Sequence, residues 1–111
     1  MKPRKYYLDI YDMTYFYALN WDKNDFSNWF TRKFGYSPCV GDETAATYTI
    51  GGENIIVIWT EDKSLRSLVH ECVHAANFTL DLIGYKFKLG NDEVQCYLVD
   101  LIFHQSKNKW S

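Results

Sequence analysis

A chain of 111 residues is long enough for one hydrophobic core but not for two, and 47% hydrophobic with 23% charged residues is the balance of a folded globular domain rather than a disordered one. A net charge of −2 without a dense basic run gives no reason to expect nucleic acid as a partner. No apolar run approaches the length of a membrane helix, so no membrane partner is expected either.

The first apolar stretch, residues 6–19, mixes aromatic and β-branched residues with Asp9, Asp12 and Thr14. It lacks the apolar segment and cleavage site of a signal peptide, and its imperfect alternation predicts a strand. Residues 22–34 open with the capping candidates Asp22, Asn24 and Asp25, then space Phe26, Trp29, Phe30 and Phe34 at helical intervals up to Gly35. That pattern predicts an amphipathic helix whose aromatic stripe is core. Residues 36–44 carry Ser37-Pro38 and Gly41-Asp42, which are loop signals.

Residues 46–50 and 54–60, joined by Gly51-Gly52, read as a hairpin. The second strand is apolar on both faces and belongs inside the sheet or beneath the helix that follows. Thr60 is the expected cap of that helix, with Glu61 and Asp62 in its first turn, and Gly84 stops it after about Leu82. Leu65, Leu68, Val69, Cys72, Val73, Ala76 and Leu80 form its apolar stripe; Arg66, His70, Asn77 and Asp81 lie on another side, with the histidines at the edge. After a link over residues 83–90, a last helix is expected from the cap Asn91 to about Gln105. The fold class is α+β in a single domain, residues 1–111: an antiparallel or mixed sheet of about three strands packed on two C-terminal helices, with one N-terminal helix.

Residues 68–75 read L-V-H-E-C-V-H-A. Residues i and i+4 stack on one helix face, so His70 and His74 can point at a single ion, with Glu71 beside them. In H-E-x-x-H the imidazoles hold Zn²⁺ and the glutamate takes a proton from water on the metal; the bland alternative is an ordinary helix with surface histidines. Glu93, nineteen positions beyond His74 and in the first turn of the next helix, can return opposite the pair. Two histidines, a glutamate and one water make a catalytic zinc site with an open position. Cys39, Cys72 and Cys96 are an odd number without C-x-x-C spacing, neither a disulfide framework nor a cysteine zinc site, and a reducing cytoplasm is expected.

His70-Glu-Cys-Val-His74 followed by Glu93 resembles the gluzincin group of zinc metallopeptidases, in a stripped-down, single-domain form of the thermolysin-like arrangement. The pattern H-E-x-x-H-A, a glycine-containing link and E-x-x-x-Y-L is also similar to small bacteriophage-encoded proteins. The resemblance covers roughly residues 55–105; the N-terminal half resembles no family. It implies a zincin-like fold, zinc held by His70, His74 and Glu93, and Glu71 as general base. It further implies Tyr85 as an oxyanion stabiliser, a residue that a packed loop tyrosine explains equally well. Where the family places an aspartate one turn after the ligand glutamate this chain has Tyr97, which leaves Asp100 or Asn77 to orient a histidine, unless both are solvated polar residues. His104 lies roughly 16 Å further along the helix axis than Glu93 and is read as structural.

The expected function is zinc-dependent hydrolysis of a peptide or amide bond in a peptide or protein substrate, with a sheet-edge strand holding the peptide. The short chain leaves few residues to shape a specificity pocket, which favours as an alternative a catalytically weak or inactive zinc-containing protein acting on a host protein partner. A third reading is an α+β interaction domain without metal.

Overall fold

The computed structural model describes residues 2–86 and 92–106. The elements are β1 (Arg4–Leu8), a 3-10 turn (Asp9–Tyr11), β2 (Met13–Leu19), α1 (Lys23–Phe34), β3 (Ala45–Thr49), β4 (Ile55–Thr60), α2 (Leu65–Leu82) and α3 (Glu93–Ser106). The strands form one mixed sheet in the order β1-β2-β4-β3. β2 and β4 run parallel at its centre, with β1 and β3 antiparallel at the two edges.

The sheet has four strands rather than about three because residues 6–19 are two strands and not one. Asp9 opens a 3-10 turn and Asp12 takes a left-handed conformation (φ 51°), a region that aspartate tolerates better than most residues. The chain reverses there, and β1 pairs back on β2 with Leu8 opposite Met13. The hairpin over Gly51-Gly52 forms as expected, and β4 lies inside the sheet.

Helices cover both faces of the sheet. Phe16, Ala18, Val57 and Trp59 point to one face, where α1 lays Phe26 flat on Trp59 (ring centroids 5.0 Å apart, planes 8° apart). Tyr15, Tyr17, Ile56 and Ile58 point to the other, against Leu68, Cys72, Ala76 and Leu80 of α2 and Leu98 and Ile102 of α3. This two-sided burial explains why β2 and β4 are apolar on alternate and intervening positions alike. Polar atoms in the second core are satisfied: Tyr17 Oη donates to the Ile102 carbonyl at 3.0 Å, and Tyr15 Oη lies 2.7 Å from Thr79 Oγ1. Because Thr79 spends its own proton on the Ala75 carbonyl, Tyr15 is the donor.

Asp22 caps α1 by accepting from the Asp25 N–H at 2.8 Å, and Gly35 (φ 84°) closes it through an N–H bond to the Thr31 carbonyl. The cap of α2 differs from expectation: Ser64 accepts from the Ser67 N–H at 3.2 Å, and the helix starts at Leu65. Thr60 is instead the last residue of β4, fully buried, where its hydroxyl accepts from the Asn20 N–H and donates to the Asp62 carbonyl. α2 ends at Leu82, just before Gly84 (φ 77°). The expected cap Asn91 lies outside the described residues. No helix among the described residues is long and apolar enough to cross a membrane.

Candidate functional site

α2 carries three kinds of surface. Leu68, Cys72, Ala75, Ala76 and Leu80 are buried against the sheet, as the apolar stripe requires. Val69 and Val73, on the edge of that stripe, remain 43% and 37% exposed and face a groove of about 500 Å³ between α2 and α3. His70 and His74 are exposed on the solvent side.

The two imidazoles converge. Their Nε2 atoms are 3.1 Å apart, and the His74 ring stacks on Phe78 one turn further on (6.2 Å, 21°). The 3.1 Å separation is a hydrogen bond between the rings, and it also matches the roughly 3.0–3.4 Å between two nitrogens each about 2.0–2.1 Å from one zinc ion, so the pair is spaced for either a ring–ring bond or a shared divalent ion.

Glu71 is buried, whereas both histidines are exposed. It is 6% exposed, and Thr47 Oγ1 of edge strand β3 donates to its Oε1 at 2.7 Å; the Glu71 carbonyl lies 3.1 Å from the same hydroxyl. The carboxylate therefore bridges helix and sheet edge. Together with His70, Arg66, Thr44 and Glu43 it lines a cleft of about 300 Å³ between α2 and the start of β3. Thr47 has no signature in the sequence. It enters the site because antiparallel pairing with β4, Thr47 opposite Ile58, brings β3 alongside α2.

The ligand set expected from the gluzincin resemblance, His70, His74 and Glu93, is not assembled: among the described residues no three His, Cys, Asp or Glu side chains gather in a way that could hold a metal ion. The reason is the roll of α3. Leu98 and Ile102 enter the core, which leaves Glu93, Tyr97 and His104 exposed, with Cys96 and Asp100 at the groove towards α2. The resemblance to gluzincins is thereby overturned, and with it the support for a zincin fold.

The remaining candidates have other surroundings. Asn77 accepts a hydrogen bond from the Gln95 amide, which ties the start of α3 to α2 and orients neither histidine. Asp100 borders the α2–α3 groove beside Val69 and Val73. Tyr85 is half-buried against the α2–α3 core, as a packed loop tyrosine would be. Cys72 is fully buried, and that burial, reinforced by the Glu71 charge, pushes its thiol up to about 12, so it is no nucleophile at neutral pH.

No protein-family model, no curated protein and no solved structure matches this chain.

Proposed function

We propose that the protein is a divalent-metal-dependent hydrolase of an amide or peptide bond, with His70 and His74 as its metal-holding pair and Glu71 as general base. The observation that carries this reading is the 3.1 Å separation of the two Nε2 atoms on a helix whose intervening Glu71 lines the same cleft as His70. Zinc is among the divalent ions that imidazole ligands suit well. Bound there, it would supply a Lewis acid and a water of near-neutral pKa. Glu71 takes the proton of the attacking water and returns it to the leaving nitrogen, and the Thr47 hydroxyl fixes the carboxylate while it does so. The cleft between α2 and β3 is where a peptide or protein substrate would enter. The reading rests on the histidine pair and Glu71 and not on membership of a family.

One observation favours a second reading, a catalytically weak or inactive zinc-containing protein that binds a protein partner: no third metal-binding side chain joins the pair among the described residues. Protein purified without a metal-affinity tag, assayed for metal by mass spectrometry and for cleavage of a peptide library, separates the two. About one zinc per chain, lost in His74→Ala, is expected. Cleavage by the wild type but not by Glu71→Gln is the signature of the hydrolase. Zinc without cleavage leaves the binding protein, and failure to take up zinc at all sinks both.

A further inference from the structure

We propose that Arg66 holds the free C-terminal carboxylate of the substrate, so that the protein releases the last residue of a peptide rather than cutting within it. The inference rests on the hydrolase reading for its reaction, whereas recognition of a carboxylate by Arg66 is measurable without turnover.

Arg66 precedes His70 by one turn of α2 and lines the same cleft as His70 and Glu71. It is exposed, and the buried carboxylate of the cleft does not neutralise it, because Glu71 is engaged by Thr47. Glu43, the other acid of the cleft, makes no ion pair with it among the described residues. A guanidinium without a carboxylate partner on the wall of a cleft is ready to take one, since its fork of N–H donors matches two carboxylate oxygens. Ser67 adds a hydroxyl to the same wall.

Spacing sets the length of the released piece. One turn of helix puts Arg66 about 6 Å along the axis from His70. One residue of extended chain spans about 3.3–3.6 Å and a charge-assisted hydrogen bond about 2.7–2.9 Å, which together fill that distance. A carboxylate on Arg66 therefore leaves a single residue between itself and a carbonyl beside His70. The cleft, about 300 Å³, is at the small end of ligand pockets, which suits one terminal residue better than the middle of a long chain. Water adds to that carbonyl carbon, the last C–N bond breaks, Glu71 passes one proton of the water to the leaving nitrogen, and a free amino acid departs. Glu43, on the β3 side of the cleft, repels a second carboxylate, so the released residue is neutral or basic.

N-acetylalanyl peptides ending in alanine, leucine, phenylalanine or lysine, each with a free or an amidated C-terminus, test this. Isothermal calorimetry with Glu71→Gln reads binding without turnover. Free carboxylates are expected to bind at least about tenfold tighter than the amides, Arg66→Met in that background to abolish the difference, and Arg66→Lys to restore part of it, as a point charge without the fork. With the wild type, mass spectrometry should show release of the single last residue from the free peptides. Arg66→Met should raise KM at least about tenfold while kcat stays within about threefold, the pattern of a lost binding contact. Selective binding with no release by the wild type sinks the hydrolase reading and leaves the carboxylate site standing. Equal affinity for free and amidated peptides, no binding of either by about 10 mM, a preference that survives Arg66→Met, or cleavage of both kinds alike overturns the proposal.

Discussion

Thr47 and Glu71, 24 positions apart, are joined through a hydroxyl–carboxylate hydrogen bond of 2.7 Å that clamps the sheet edge to the motif-bearing helix. Glu71 is one of the four buried polar or charged residues among those described, and this bond is what makes its burial tolerable. Removing the hydroxyl in Thr47→Val strands a carboxylate and should cost about 1–3 kcal/mol, whereas Thr47→Ser keeps the donor and should cost much less. Urea unfolding midpoints at neutral pH measure the difference. Equal losses in the two variants would show that the clamp is only a packing contact.

The histidine pair makes a prediction that does not depend on catalysis. A ligand that binds only the folded state stabilises it by about 2.7 kcal/mol at a hundredfold excess over its dissociation constant, roughly 10 °C in melting temperature for a chain of this size. Zinc should raise the melting temperature of the wild type and leave His70→Ala and His74→Ala unmoved. A thermal melt with and without added zinc reads this directly; an equal shift in all three chains would place the binding elsewhere.

Much of the fold was legible because its signals were local. Asp22, the aromatic stripe and Gly35 marked α1, and two apolar runs across Gly51-Gly52 marked the hairpin. What stayed hidden was set by tertiary context. Thr60 and Ser64 are both good caps four positions apart, and the choice fell to Ser64 because the Thr60 hydroxyl serves Asn20 and Asp62 in the buried end of β4. Residues 6–19 have strand composition throughout, and only the left-handed turn at Asp12 divides them. At the site, the i, i+4 spacing placed His70 and His74 together through helix geometry alone. The position of Glu93 depends on how α3 rolls, and burial of Leu98 and Ile102 decides that.

Cap choice is itself testable. Ser64→Ala removes the acceptor for the Ser67 N–H and should cost about 1 kcal/mol. Thr60→Val removes two part-buried hydrogen bonds, from the Asn20 N–H and to the Asp62 carbonyl, and should cost more, about 1–3 kcal/mol. Chemical denaturation of both variants checks the order, and a larger loss for Ser64→Ala would restore Thr60 to a minor role.

The face covered by α1 depends on one aromatic stack. Phe26 is fully buried between Trp59 and the Phe30 and Tyr48 rings. Truncation in Phe26→Ala should cost about 3–5 kcal/mol, a large part of the 5–15 kcal/mol typical of a domain, while Phe26→Leu, which refills most of the space, should cost less. Circular dichroism on denaturant titration measures both; a loss below about 1 kcal/mol for the alanine variant would mean that α1 contributes little to the core.

Alkaline pH should unfold the protein through its buried acids. Burial pushes the Cys72 thiol from 9.0 up to about 12 and the Tyr15 phenol from 10.0 up to about 12. The folded chain therefore holds protons that the unfolded chain releases. The stability these groups contribute is full below about pH 9, begins to fall as the unfolded thiol and phenol ionise, and is lost as pH rises through 12. Urea midpoints measured at about pH 8, 9.5 and 10.5 should decline progressively, and Cys72→Ala, which removes the first of the two groups, should flatten the decline between about pH 9 and 10.5. Iodoacetamide at about pH 8 gives an independent reading, since it reacts through the thiolate: exposed Cys39 and Cys96 should label in the native protein, and Cys72 only after unfolding. A midpoint that holds level to pH 10.5, or rapid labelling of Cys72 in the native state, would show that the interior beneath α2 is open to water.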